Sequence, residues 1–175
     1  GHASQEQTHL HRRPAPARLA PCWHSSGLGL GPSTMSMTST VLFDFSQPAS
    51  TGWSTGGGNP PYPWLRYRGS TPSRDTGPTA GPAGGSGFYY YCETSGGSYG
   101  QHFQMAYDGS ACASQGSVIA SVSFQLHMYG NYMGTLRLHT DALGSAAVWS
   151  RSGDQGNSWQ KQSVVLFARS FRFDY

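Results

Sequence analysis

The run Ser117-Val-Ile-Ala-Ser-Val-Ser-Phe-Gln-Leu-His-Met-Tyr-Gly130-Asn-Tyr-Met-Gly134-Thr-Leu-Arg-Leu-His139 decides the fold. Val118, Ala120, Val122, Phe124, Leu126 and Met128 fall on every second position, with Ser121, Ser123, Gln125 and His127 between them. This alternation marks a strand with one face in a core and the other facing solvent. A helix would need apolar residues three and four apart. The pattern breaks at Gly130 and Gly134, whose lack of a Cβ suits them to a turn. It resumes with Leu136 and Leu138 around Arg137 and His139. The reading is a long β-hairpin, with Gln125, His127, Arg137 and His139 sharing one polar surface.

Outward from this run, the same period recurs in shorter pieces. Val41 to Phe45 reads as a first strand with Phe43 and Phe45 on one face. Pro63 to Arg68, Phe88 to Glu93, Gln101 to Tyr107, Ala146 to Arg151, Trp159 to Phe167 and Phe171 to Tyr175 follow, separated by stretches rich in Gly, Pro, Ser and Asn. About nine short strands with turn signals between them predict an all-β chain, an antiparallel β-sandwich. The matching pairs Phe43/Phe45 and Phe171/Phe173 predict that the first and last strands lie side by side. Residues 1–39 have no strand or helix period and too little apolar surface to offset their ordering entropy, so a disordered or linker tail is expected there and the domain is placed at residues 40–175.

Composition narrows the function. The 175 residues hold 24 Gly and 11 Pro, and only 11% are charged, as turn-rich sheets require. The formal charge of +3 leans on Arg12, Arg13 and Arg18 in the tail, so the domain has no basic face for nucleic acid. No apolar run reaches transmembrane length. The three cysteines, Cys22, Cys92 and Cys112, cannot all pair internally. A Cys92–Cys112 disulfide, with Cys22 left over, fits an extracellular domain; three free thiols fit a reducing compartment. Gly52-Trp-Ser54-Thr-Gly56 spells a nucleophile elbow, but a triple glycine and two prolines follow where a helix is needed. Glu93 is the one glutamate of the domain, and no paired acids stand on a strand face for glycoside hydrolysis. No enzyme activity is expected.

Five motifs in order resemble the MAM domain, the extracellular module named after meprin, the A5 antigen and receptor tyrosine phosphatase mu. They are Gly52-Trp53, Thr76-Gly77-Pro78, Gly87-Phe-Tyr-Tyr-Tyr-Cys-Glu93, Phe124-Gln-Leu-His127-Met128-Tyr-Gly130 and Gly153-Asp-Gln155-Gly156-Asn-Ser-Trp159. The resemblance covers roughly 41–175. It implies a jelly-roll sandwich, secreted or on a cell-surface ectodomain, that mediates adhesion or assembly through a protein partner or self-association. A carbohydrate-binding module using the polar face of Gln125, His127, Arg137 and His139 is the alternative, with a glycan as partner. His127 is read first as a structural, hydrogen-bonded residue.

The departures carry information. Thr51 and Ser121 stand where the family usually has cysteines, which would make Cys92–Cys112 a private replacement. Ser46 and Gly81-Pro82-Ala83 stand where acids contribute to a calcium site in some members. No cofactor is expected. Asp44, Asp75 and Asp174 are the candidate calcium ligands, against the plainer reading of solvated carboxylates.

Overall fold

The computed structural model describes residues 22–24, 39–47, 52–57, 61–82, 84–110 and 116–175, with backbone alone at 22–24 and 61. These residues form β1 (Cys22–His24), β2 (Trp53–Gly57), β3 (Pro61–Tyr62), β4 (Leu65–Arg68), β5 (Phe88–Tyr91), β6 (His102–Asp108), β7 (Ser117–Leu126), β8 (Thr135–Thr140), β9 (Ala147–Ser152), β10 (Gln160–Ala168) and β11 (Ser170–Asp174). A 3-10 turn spans Asp141–Leu143. The all-β sandwich expected from the alternation is the observed class. Most of residues 1–39 lies outside the described residues; within that range Cys22–His24 pairs with β7.

One layer is the three-stranded sheet β1-β7-β10. The other is a six-stranded sheet in the order β2-β6-β11-β8-β9, with β3 alongside β6. All ladders are antiparallel except β3 with β6. A separate ladder joins β4 and β5. The core between the layers is built from the inward set of each strand: Val122, Leu126 and Met128 from one side, Leu136, Leu138, Phe171 and Phe173 from the other. Phe124 spans the gap, its ring 4.9 Å from Phe173 and 5.2 Å from Trp149.

Two expectations are corrected here. First, β7 and β8 are not a hairpin. β7 pairs with β10 and β1, while β8 pairs with β11 and β9, so the chain crosses from one sheet to the other between them. A period of two fixes which face of a strand is inward; it is the same whether two strands lie beside or across from each other. The crossing is held from both sides. Gly77 N donates to Tyr129 O at 2.9 Å, Gln155 N to Met128 O at 2.7 Å, and Gly153 N to Gly134 O at 3.0 Å. Gly130 has φ 135, and a Cβ there would meet Thr76 Oγ1 at 2.8 Å, so this position admits only glycine.

Second, Val41–Phe45 does not lie beside the last strand. Both edges of β11 are taken, by β6 and β8. The segment is instead a strap pinned by Arg66, whose Nε donates to Phe45 O at 2.6 Å and Nη2 to Ser46 O at 2.7 Å. Phe43 and Phe45 both pack edge-on against Trp53, at 5.6 and 5.7 Å. Trp53 also meets Phe171 at 5.6 Å, so it anchors the strap to the core.

β10 carries one irregularity. Its register with β7 shifts between Val165 and Ala168, and Phe167 takes φ 50. The alternation of the strand runs on through it: Leu166 and Ala168 face inward, and Val165 and Phe167 stay exposed like Lys161 and Ser163.

Leu138 is completely buried at the centre of the core. Leu138→Ala should lower unfolding free energy by about 2–5 kcal/mol in urea titration, because the surrounding strands cannot collapse onto the space left. Tyr99→Ser, at a fully exposed side chain, should change it by less than about 0.5 kcal/mol.

Candidate functional site

The expected polar surface of four residues is divided by the crossing. Gln125 and His127 belong to the three-stranded layer, and Arg137 and His139 to β8 in the other. Each half finds different company.

Arg137 and His139 point to the outer face of the six-stranded sheet. On β11 the residues opposite them are Asp174 and Arg172, and Gln104 of β6 faces Asp174 from its other side. Asp174 is the hub. Its Oδ1 accepts from Gln104 Nε2 at 3.1 Å, and its Oδ2 accepts from Arg172 Nε at 3.0 Å. His139 Nε2 lies 3.4 Å from the same Oδ2. With Nε2 turned to the acid, His139 Nδ1 is left buried without a partner among the described residues. Sequence reading placed Arg137 and His139 on this face and missed Gln104 and Arg172. The signal was present: inward Phe171 and Phe173 force Arg172 and Asp174 outward.

His127 sits on the opposite layer, at the end of β7. Its Nε2 is 3.2 Å from Asn157 Oδ1, and its ring packs at 5.3 Å on Trp159. Trp159 Nε1 donates to Ala80 O at 2.9 Å and its ring meets Tyr89 at 5.4 Å, so the histidine is built into a structural cluster. Burial lowers the His127 pKa from its ordinary 6.5, with the Asn157 hydrogen bond working the other way. Gln125 is exposed on the same strand.

The three candidate calcium ligands do not converge. Asp174 is committed to Gln104, Arg172 and His139. Asp44 Oδ1 accepts from Ser46 N at 2.9 Å, a bond that lowers its pKa. Asp75 lies in a turn with φ 58. Among the described residues no three of His, Cys, Asp or Glu are placed to hold a metal ion. Cys92 is a free thiol, and Cys112, the partner expected for it, lies outside the described residues. Burial raises the Cys92 pKa well above its usual value, which makes the thiol a poor nucleophile. Ser54 lies within β2, opposite Ala106 in an antiparallel ladder, so it is not at the strand-to-helix turn that a nucleophile elbow requires.

A cleft of about 870 Å³ opens between β5, β7 and the Phe43–Ser46 strap. Val122, Phe124 and Leu126 line one wall and Tyr89, Tyr91 and Cys92 another. Tyr89, buried in this wall, has its pKa raised to about 12 by desolvation, and its hydroxyl donates to Gly69 O at 2.7 Å.

Residues 43–174 match the family described as "MAM domain, meprin/A5/mu". Neuropilin-1a of Danio rerio is 31% identical over 126 residues, which is 69% of this chain and 13% of that protein. Human MAM domain-containing protein 2 is 31% identical over 110 residues, 58% of this chain and 15% of that protein. Human MAM domain-containing glycosylphosphatidylinositol anchor protein 1 is 30% identical over 118 residues, 60% of this chain and 12% of that protein. The chain therefore corresponds to a small part of each of these relatives.

A histidine with a lowered folded pKa binds its proton more tightly in the unfolded chain. The stability it contributes is full above pH 6.5 and is lost as pH falls through its folded value. Urea titrations at pH 7.5 and 5 should show a fall in stability for the native chain and a smaller fall for His127→Gln. Equal falls would contradict the burial of this ring.

Proposed function

From the premise that the chain belongs to the MAM domain family, we propose that it is a protein-interaction module of adhesion or assembly type, working outside the cell as part of a larger protein. The observation that carries this reading is the family match over residues 43–174. The chemistry of the surface agrees with it. The outer polar cluster is gathered around Asp174, His127 meets Asn157 and Trp159, and the half-buried Cys92 thiol has a raised pKa. Such groups hold a shape; they are not poised for proton transfer or attack. Among the described residues no helix is long and apolar enough to cross a membrane.

The finer reading is contact between copies through the outer face of the three-stranded sheet. Support comes from the outward side of β10, where Val165 and Phe167 stand at 66% and 60% exposure on neighbouring outward positions. Large apolar side chains grouped on a strand face favour association. The glycan alternative has lost its composite surface, because Gln125 and His127 lie on a different layer from Arg137 and His139.

Sedimentation velocity across a hundredfold range of concentration, on the order of 1 to 100 µM, spans the affinities usual for weak adhesive contacts. The native chain should shift from monomer toward dimer, and the double variant Val165→Ser, Phe167→Ser should stay monomeric. A native chain that is monomeric throughout, or a variant that associates equally well, would overturn the homophilic reading.

A further inference from the structure

Four connections of the sandwich gather at one end. β7 stops at Leu126, and its register partner Gln160 starts β10. β8 starts at Thr135, and its partner Ser152 ends β9. β6 starts at His102, and Gln104 faces Asp174 at the end of β11. The connections 127–134, 153–159 and 92–101 therefore leave from the same end of the two layers. The turn 71–77 joins them, through Gly77 N donating to Tyr129 O at 2.9 Å and Ser73 Oγ lying 2.9 Å from Ser95 Oγ. Asp75, Glu93 and Tyr132, from three of these connections, line one cleft.

Two tyrosines at this end lie in water. Tyr132 is 97% exposed and Tyr99 is completely exposed, so neither ring adds packing to the fold. Both sit in short runs of small or polar residues, Gly96-Gly-Ser-Tyr99-Gly100 and Gly130-Asn-Tyr132-Met-Gly134. The backbone beneath them is held. On either side of Tyr132, Gly130 N donates to Asp154 Oδ1 at 3.3 Å and Gly134 N to the Tyr175 hydroxyl at 2.8 Å. Ahead of Tyr99, Ser95 N donates to Glu93 Oε1 at 2.8 Å and Gly97 N to Thr94 O at 3.0 Å. An unpacked ring on a fixed backbone has little ordering entropy left to lose on binding. Tyrosine is large, stiff and amphipathic, and Gly, Ser and Asn around it leave it free to meet a partner.

We propose that this end is a second recognition surface, with Tyr132 and Tyr99 as anchors for a protein partner that presents basic residues. The sign comes from the connections themselves. Asp75, Glu93 and Asp154 stand against Arg74, so with histidines neutral the loops are acidic in balance. Arg151, near the end of β9, is drawn to the Trp149 ring at 5.3 Å. Each ring would be buried in a pocket of the partner with its hydroxyl paired, while the carboxylates draw the partner's cations in. The proposal rests on the interaction-module reading and adds to it a surface and a partner chemistry. It stands apart from self-association: β10 begins at this end with Gln160 and carries Val165 and Phe167 toward the other, so either surface can fail alone.

The test uses the whole chain, and its probes are cyclic peptides selected on that chain from a random displayed library. An unguided peptide gains most where stiff rings already stand exposed. The tightest peptides should carry Lys or Arg and should slow amide exchange in residues 129–134 and 95–101. They should bind the double variant Tyr132→Ser, Tyr99→Ser about tenfold more weakly. Both side chains lie outside the packing, so the urea midpoint of the variant should match that of the native chain. Peptides that bind the variant as tightly, that lack basic residues or that protect β10 instead overturn the proposal, and so does a selection that yields none. Two other results would overturn it by naming a different occupant. One is capture of neutral oligosaccharides on a glycan array that the double variant loses. The other is a native dimer in sedimentation velocity that the double variant fails to form.

Discussion

The contact of Phe124 with Phe173 and Trp149 joins the two layers, and the rest of the structure depends on it. The ring of Phe124 leaves one sheet and meets partners on two strands of the other, at 4.9 and 5.2 Å, both in edge-on geometry. Each such pair adds about 0.5–1.5 kcal/mol beyond the area it buries. Phe171 and Phe173 extend the contact along β11 toward Trp53, and Trp53 passes it to Phe43 and Phe45. The aromatic series thus runs from the centre of the sandwich to the strap. Because β7 and β8 face each other across this layer, their outward residues point in opposite directions. The division of the polar residues into two sites is a direct consequence.

The crossing between the layers is made reliable by polar bonds rather than apolar ones. Its carbonyls and amides are received by two turns distant in sequence, Asp75–Gly77 and Ser152–Gly156. Asp154 Oδ1 accepts from both Gly130 N and Gly156 N, at 3.3 and 3.0 Å. The same family motifs that look unrelated along the chain, Thr76-Gly77-Pro78, the Gly130 turn and Gly153-Asp-Gln155-Gly156, therefore converge on one place. Their shared role is to hold the connection that lets β7 and β8 occupy different sheets.

The sequence showed faces clearly and neighbours poorly. Alternation in Ser117–Met128 and Thr135–Thr140 marked Ala120, Val122, Leu126, Met128, Leu136 and Leu138 as inward but missed the burial of Ser117, Ile119, His139 and Thr140; Phe103, Met105, Phe171 and Phe173 followed from the same period. It could not say which strand lies beside which, since the inward face of a hairpin and that of a crossing have one pattern. The strap escaped for a related reason: Phe43 and Phe45 alternate like a strand, yet Phe45 takes φ 52 and the segment is held by the Arg66 side chain. Asp174 was picked out as an acid, but its three partners come from three strands whose order was not legible. His127 meets Asn157 and Trp159, which lie some thirty residues on, beyond any local signal. The Cys92 pairing rested on compartment, and spacing along the chain says nothing about thiol geometry.

Proton contacts across the core decide the central claim most directly. Nuclear Overhauser spectra of the chain should connect the Phe124 ring to the Phe173 and Trp149 rings, and the backbone of Ser123 to that of Ser163, its partner on β10. Backbone contacts pairing Gln125 with Arg137, and no contact from Phe124 to Phe173, would contradict it, because they would return β7 and β8 to a single hairpin.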